Sequence, residues 1–434
     1  MKRALALPTL AVLLFSALAP AQTAPPKVML DITAPGRQAI PLALPRPVGD
    51  NAKANELYDV VVRDLELSGW FKIIDPAAYL EPAGTGVQPG QFKYEDWETP
   101  GAVALAKSGL SAPAAGKLRA EVWVYDVLGH QKLGAKAFTT DGAQVRTLAH
   151  RIAGEIIFQI TGQKAPFNTK FAYAGTGTGN KEIYLVDFDG AGKVAVTKNG
   201  SININPGWSP RGNAVAFTSF LAGNPDLYVA DLSKGEIRRL SSREGMNTGP
   251  AWAPGGGLLA ATLSPGGNPD IYTMDPSTGK QISRLTDGPG IDVSASWSPD
   301  GKRIAFVSDR SGGAQIYVMN ANGSGVKRVT FQGSQNTDPA WSPDGSSIAF
   351  VSREGVFDIF TVGVDGSNLT RITQGMGDNE DPSWSPDGSY LAFSSTRTGA
   401  SHIWMATKDG VHQVQLTQGG GGYTNPNWSP SLEW

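Results

Sequence analysis

The sequence predicts a small α/β domain followed by an all-β six-bladed β-propeller closed by the chain's own C-terminal strand. Three observations carry that prediction. Trp208, Trp252, Trp297, Trp341, Trp384 and Trp428 recur at spacings of 44, 45, 44, 43 and 44 residues. Each of the first five opens a Trp-[Ser/Ala]-Pro-x-Gly segment, followed by a short apolar strand such as Ile304-Ala305-Phe306. The repeat also starts without a Trp strand and ends on one, so its two ends complement each other.

The N-terminus reads as a secretory leader. Lys2 and Arg3 precede an apolar stretch from Leu10 to Leu18, and Ala19-Pro20-Ala21 offers a small-residue cleavage site. Residues 1–21 are therefore expected to be removed, because the stretch is short for a membrane span. Residues 22–165 then form the α/β domain. Its first part, 22–37, is Ala- and Pro-rich around a strand-like Lys27–Ile32 and is expected to be partly mobile. Asp50 or Asn51 can cap a helix carrying Leu57, Val61 and Leu65 four apart, which Gly69 stops. Trp70–Ile74 reads as a strand and Gly101–Lys107 as a second helix. Lys117–Val127 and Gln131–Thr140 form a hairpin around Gly129. A last helix over 143–161 aligns Val145, Leu148, Ile152, Ile156 and Ile160, with Gly162 as its stop. Helices on a mixed sheet follow.

Residues 166–434 hold the repeat. Four short strands in about 44 residues is the size of a propeller blade. Ser-Pro-Asp-Gly sets a tight turn, since Pro fixes φ at its second position and Gly accepts a positive φ at its end. The Trp is expected to wedge between blades. Before Trp208 lie only the later strands of a blade, Phe171–Tyr173, Glu182–Asp187 and Val194–Thr197. The strand ending in Trp428 completes them, and closing the ring removes the open sheet edges.

Composition narrows the function. Lys and Arg total 37 against 39 Asp and Glu, so nothing global points to nucleic acid or an anionic membrane. Cysteine is absent, which excludes a disulfide framework, a thiol nucleophile and a lipidated N-terminal cysteine. No Gly-x-Ser-x-Gly elbow is present. The four histidines, at 130, 150, 402 and 412, lack zinc-site spacing. Gly175–Gly179 has no following Lys-[Ser/Thr], and Asp187–Gly190 lacks the downstream Glu of a calcium loop, so both read as hairpin turns.

The loops leading into the Trp strands converge on one mouth of the channel. They carry Glu244, Asp287, Asp292, Asp338, Asp378, Glu380 and Asp381, with Asn205, Asn247 and Asn425 in similar places, against Lys198 and Arg243 as the basic residues. Asp-Pro turns account for Asp338 and Asp381 by local chemistry, but not for the scarcity of cations. The mouth is therefore expected to be electronegative and to dock a partner. Such an oxygen-rich cluster could also hold calcium; otherwise no cofactor is expected.

The chain resembles the TolB family of the bacterial Tol–Pal system. The resemblance rests on Asp64-Leu65-Glu66-Leu67-Ser68-Gly69-Trp70-Phe71, on Arg146-Thr147-Leu148-Ala149-His150-Arg151-Ile152-Ala153, and on Phe158–Gly162 leading to Phe171–Tyr173. It implies a non-enzymatic, monomeric periplasmic scaffold that supports outer-membrane integrity and constriction during division. The propeller would bind the lipoprotein Pal. The segment 22–37 would bind the inner-membrane protein TolA, by strand addition anchored on Val28, Leu30 and Ile32. Ala24-Pro25-Pro26 departs from the family there. Two other classes stay open: a propeller that binds a small molecule or glycan, for which Tyr423 is the aromatic candidate at the mouth, and a peptidase-type gating propeller.

Overall fold

A computed structural model describes residues 38–49, 51–177 and 179–432. The leader, Val28, Leu30, Ile32 and the cap candidate Asp50 lie outside the described residues.

The N-terminal domain runs β1 (Ile40–Ala43), β2 (Val48–Gly49), α1 (Asn51–Leu67), β3 (Phe71–Ile73), α2 (Glu95–Glu98), β4 (Ala104–Ser111), β5 (Lys117–Asp126), β6 (Gln131–Asp141) and α3 (Val145–Thr161). Its mixed sheet has the order β3-β1-β4-β5-β6, with β2 also on β4. β1 pairs parallel to β3 and β4, and β4, β5 and β6 run antiparallel. The apolar faces of α1 (Leu57, Val61, Leu65) and α3 (Leu148, Ile152, Ile156) share one core with Ala106, Val122 and Val124 of the sheet. Gly162 ends α3 in the left-handed region at φ +73, its N–H on Phe158 O at 2.8 Å.

One element departs from the sequence reading. The helix expected over Gly101–Lys107 is the start of β4. This strand is central and largely buried, with all of Ala104–Ser108 inside. Burial on both faces gives a continuous apolar run, and such a run carries no period to separate strand from helix.

The propeller consists of six four-stranded antiparallel sheets. The inner strands of the first five blades are Asn203–Trp208, Asn247–Trp252, Asp292–Trp297, Asn336–Trp341 and Asn379–Trp384. In the sixth, Thr424–Trp428 pairs with Lys170–Gly175, placing Trp428 opposite Phe171. The last strand of the chain thus closes the ring on the first.

The tryptophans lock the seams, in a manner set by the residue before the preceding Trp. Where that residue is Gly207, Ala251 or Ala340, the next indole donates to its carbonyl at 3.1–3.2 Å. Where it is Ser296, Ser383 or Asn427, its side chain instead accepts from the next Trp's backbone N–H at 2.9–3.0 Å. A second lock lies just past the outer strands, where Leu285-Thr286, Val329-Thr330, Ile372-Thr373 and Leu416-Thr417 follow. Thr286, Thr330, Thr373 and Thr417 accept from the N–H of Ile271, Ile316, Ile359 and Ile403 at 2.9–3.0 Å. Three of these hydroxyls donate in turn to Asp270, Gln315 and Asp358. These buried polar atoms are satisfied inside the sheet, as burial requires.

Candidate functional site: the propeller mouth and the domain junction

Each inner strand begins at the mouth and ends at its Trp on the far side. Near its start, two residues in for the first five and one for the sixth, every one carries a β-bulge with a residue in the left-handed region. These are Asn205 (φ +51), Gly249 (+60), Ser294 (+56), Asp338 (+50), Asp381 (+57) and Asn425 (+54). The ladder shifts register at each. A bulge re-aims a side chain, and Asn, Asp and Gly accept this backbone most readily. All six positions line one channel cavity of about 140 Å³.

Two adjacent blades thus bring Asp338 and Asp381 into the same narrow space. Asp381 is anchored: its Oδ1 accepts from Asn425 Nδ2 at 2.8 Å, and its Oδ2 from Asn425 N at 3.0 Å and Ser394 Oγ at 2.8 Å. Asp338 accepts from Thr337 Oγ1 at 3.0 Å. Asp338 keeps some exposure to the channel, yet the surrounding protein strips most of its water. That loss of solvation, then the charges of Asp381 and Glu380, push its carboxyl up to about 7, against the lowering effect of the Thr337 hydroxyl. Burial, Asp381 and Asp378 raise Glu380 as well, opposed by Lys181.

The structure distributes the expected mouth residues unevenly. Asn205, Asp338, Asp381 and Asn425 line the channel. Glu380 and Glu244 are exposed and Asp378 is half-buried, its Oδ1 accepting from Phe357 N. Asp287 is exposed and paired with Arg284 at 3.0 Å. Asn247 and Asp292 do not reach the channel. Asn247 is fully buried, its amide on Arg243 O at 2.7 Å and its Oδ1 receiving Ser241 Oγ at 2.7 Å. Asp292, 1% exposed, receives both of its bonds from Arg310 Nη2, at 2.9 and 3.0 Å. Their position starts the inner strand, where the equivalent Asn203, Asn336 and Asn379 are also fully buried. Tyr423 holds this position in the sixth blade. It too is buried, edge-on to Tyr173, with its hydroxyl on Gln418 O, so it offers no face to a sugar ring.

A second charged cluster joins the two domains, and sequence reasoning missed it. Asp64 of α1 and His150 of α3 meet at 2.7 Å, 0% and 5% exposed. Arg146, one turn before His150, places Nη2 on both oxygens of Asp189 at 2.6–2.7 Å and Nε near Asp187 at 3.4 Å. Lys170 also pairs with Asp187. Burial raises Asp64 to about 6 despite the opposing bond from His150. Burial alone would lower His150, but the bond and charge of Asp64 outweigh it, so the pair holds its proton more tightly. His150, Asp187 and Asp189 lie close enough to hold a metal ion. Arg146 and Lys170 already neutralise those carboxylates, however, so the cluster is built for ion pairing. Around it, Tyr390 donates to Ser68 O at 3.0 Å. Gly69, at φ +68, leaves room for His412, whose ring would lie 2.7 Å from a Cβ there. The only sequence signal was that Asp64, Ser68, Gly69, Arg146 and His150 all sit in the segments that carry the family resemblance.

Fold and site together define a β-propeller protein, with a charged channel at one face and an α/β domain fastened at the other. The comparisons place it more narrowly. A model described as the TolB beta propeller domain matches residues 158–432, and one described as the TolB amino-terminal domain matches 28–133. The chain belongs to the TolB family. The crystal structure of TolB from Acinetobacter baumannii superposes with a TM-score of 0.82 at 29% identity, covering 91% of this chain and 97% of that one. A Tol-Pal system protein TolB from Syntrophotalea carbinolica is 40% identical over 195 residues, 44% of this chain and 45% of its own length. Another, from Geobacter sulfurreducens, is 39% identical over 209 residues, 47% and 48% of the two chains. The chain spans about half the length of the curated relatives it matches.

Proposed function

We propose that this protein is a non-enzymatic periplasmic scaffold of the Tol–Pal system. It docks a Pal-like lipoprotein at the propeller mouth and a TolA-like inner-membrane protein through residues 22–37, in support of outer-membrane integrity and constriction at division. The observation that carries the reading is the channel: Asp338, Asp381 and Glu380 crowd together with no ion pair among the described residues, whereas the junction cluster pairs its charges. A rigid ring that holds like charges in place focuses its field on whatever docks there, and it makes docking selective and salt-sensitive. TolA-like recognition rests on the resemblance and on the alternating Val28, Leu30 and Ile32, which suit strand addition.

The test is a pull-down from envelope extract with the full chain and with a version lacking residues 22–37. Recovery of a lipoprotein by both, and of an inner-membrane protein by the full chain alone, is the expected result. Recovery of neither partner by the full chain would refute the scaffold reading.

A further inference from the structure

The mouth has a second property that its charge does not describe. One residue before each inner strand, the chain holds a fixed place. The carbonyls of Ile202, Met246, Ile291, Gln335 and Asp378 accept from the N–H of Phe220, Ser264, Asp309, Arg353 and Thr396 on the neighbouring strand. These five residues are therefore structurally equivalent, and Gly422 fills the sixth place. Around the ring the order is Ile, Met, Ile, Gln, Asp, Gly. The three apolar side chains stand on consecutive blades and are 47%, 38% and 47% exposed. Leu221, next to the Ile202 contact, is 52% exposed. The opposite half carries Asp378 and Glu380 above Asp381.

We propose that the mouth is two-sided. The protein segment it receives lies across the channel, with apolar side chains against Ile202, Met246 and Ile291 and a Lys or Arg side chain over Asp378, Glu380 and Asp381. This rests on the reading that the mouth docks a protein. An apolar arc held in water gains by being covered. The carboxylates opposite attract a cation and repel an acidic segment. The buried Tyr423 leaves no stacking face for a glycan. Lys181, with Nζ 3.3 Å from Thr424 Oγ1, moderates the acidic side. Asp292 is already occupied by Arg310 and adds no free charge.

The experiment uses the full chain with 13C-labelled Ile and Met methyls. It is titrated with two synthetic ten-residue peptides that share a Leu-rich half and differ in a Lys-rich or Glu-rich second half. The expected result is a saturable shift of the Ile202, Met246 and Ile291 methyls by the Lys peptide and none by the Glu peptide. M246N/I291N and D378N/E380N should each weaken the Lys peptide about tenfold. Matching melting temperatures would show that these substitutions leave the fold intact. No shift with the Lys peptide, equal shifts with both peptides, or binding that survives either double variant overturns the proposal. The soluble domain of the Pal-like lipoprotein is measured in parallel. If it fails to bind while the peptides give the two-sided footprint, the functional reading falls and this inference stands. If it binds equally to wild type and both variants, the reverse holds.

Discussion

The two ends of the propeller's inner strands handle charge in opposite ways. At the Trp end, where the α/β domain docks, Asp64 meets His150, Arg146 meets Asp187 and Asp189, and Lys170 meets Asp187. At the mouth, burial and the charges of Asp381 and Glu380 raise Asp338 instead, and burial with Asp381 and Asp378 raises Glu380. Paired buried charge fixes one geometry and penalises its loss. Unpaired charge on a rigid ring stores an unfavourable interaction that a partner can relieve. One end is built to hold; the other is the proposed docking face.

The sharpest break should come at the junction. Asp64→Ala removes the carboxylate held against buried His150 and is expected to cost about 3–5 kcal/mol in denaturant unfolding, whereas Glu380→Ala at the rim should stay within about 0.5 kcal/mol. Equal costs would mean that the two clusters are not different in kind.

Next in size is the pH response. The folded carboxyl of Asp338 stands near 7 against its ordinary 3.8, so the fold disfavours its ionised form. Its penalty is absent below about 4, grows as pH rises, and is complete above 7. Asp338→Asn should therefore stabilise the protein more at pH 8 than at pH 5, by about 1.4 kcal/mol per unit as an upper bound. At the junction, the raised His150 contributes stability that is present below its ordinary 6.5 and lost as pH rises through its folded value. Raised Asp64 adds a penalty that grows between 3.8 and about 6. Both ends thus weaken toward alkaline pH, and salt separates them. Added salt should shrink only the part of the Asp338→Asn gain that comes from the charges of Asp381 and Glu380, leaving the desolvation part, and leave the slope due to His150 in place. Thermal melts at two pH values and two salt concentrations check both.

Docking comes third. Reversing Asp338, Glu380 and Asp381 together should weaken binding of the Pal-like soluble domain at least tenfold at low salt and flatten its salt dependence, read by calorimetry. Asp292 is left out, since reversing it would strand Arg310. The smallest effect belongs to the seams. Ser383→Ala removes the side-chain acceptor of the Trp428 N–H and should cost about 1 kcal/mol in denaturant unfolding.

Much of this was legible in the chain. The Trp period counted the blades, and the missing first strand foretold how the ring closes. Four mouth residues, Asn205, Asp338, Asp381 and Asn425, reach the channel. Asn247 and Asp292 do not: they stand two residues before Gly249 and Ser294, on the same face of a regular strand, and only the bulge between them turns the later position to the axis. β4 was misread because burial on both faces erased its period.

Sequence by itself determined the repeat, the closure and the absence of thiol chemistry, since these follow from composition and from spacing along one chain. Tertiary structure alone decided that Asp64 on one helix meets His150 on another, 86 positions away. It also decided that six left-handed residues share one channel, and that the apolar and acidic halves of the mouth face each other. These are relations between distant segments, which exist only once the ring has closed and the α/β domain has docked on it.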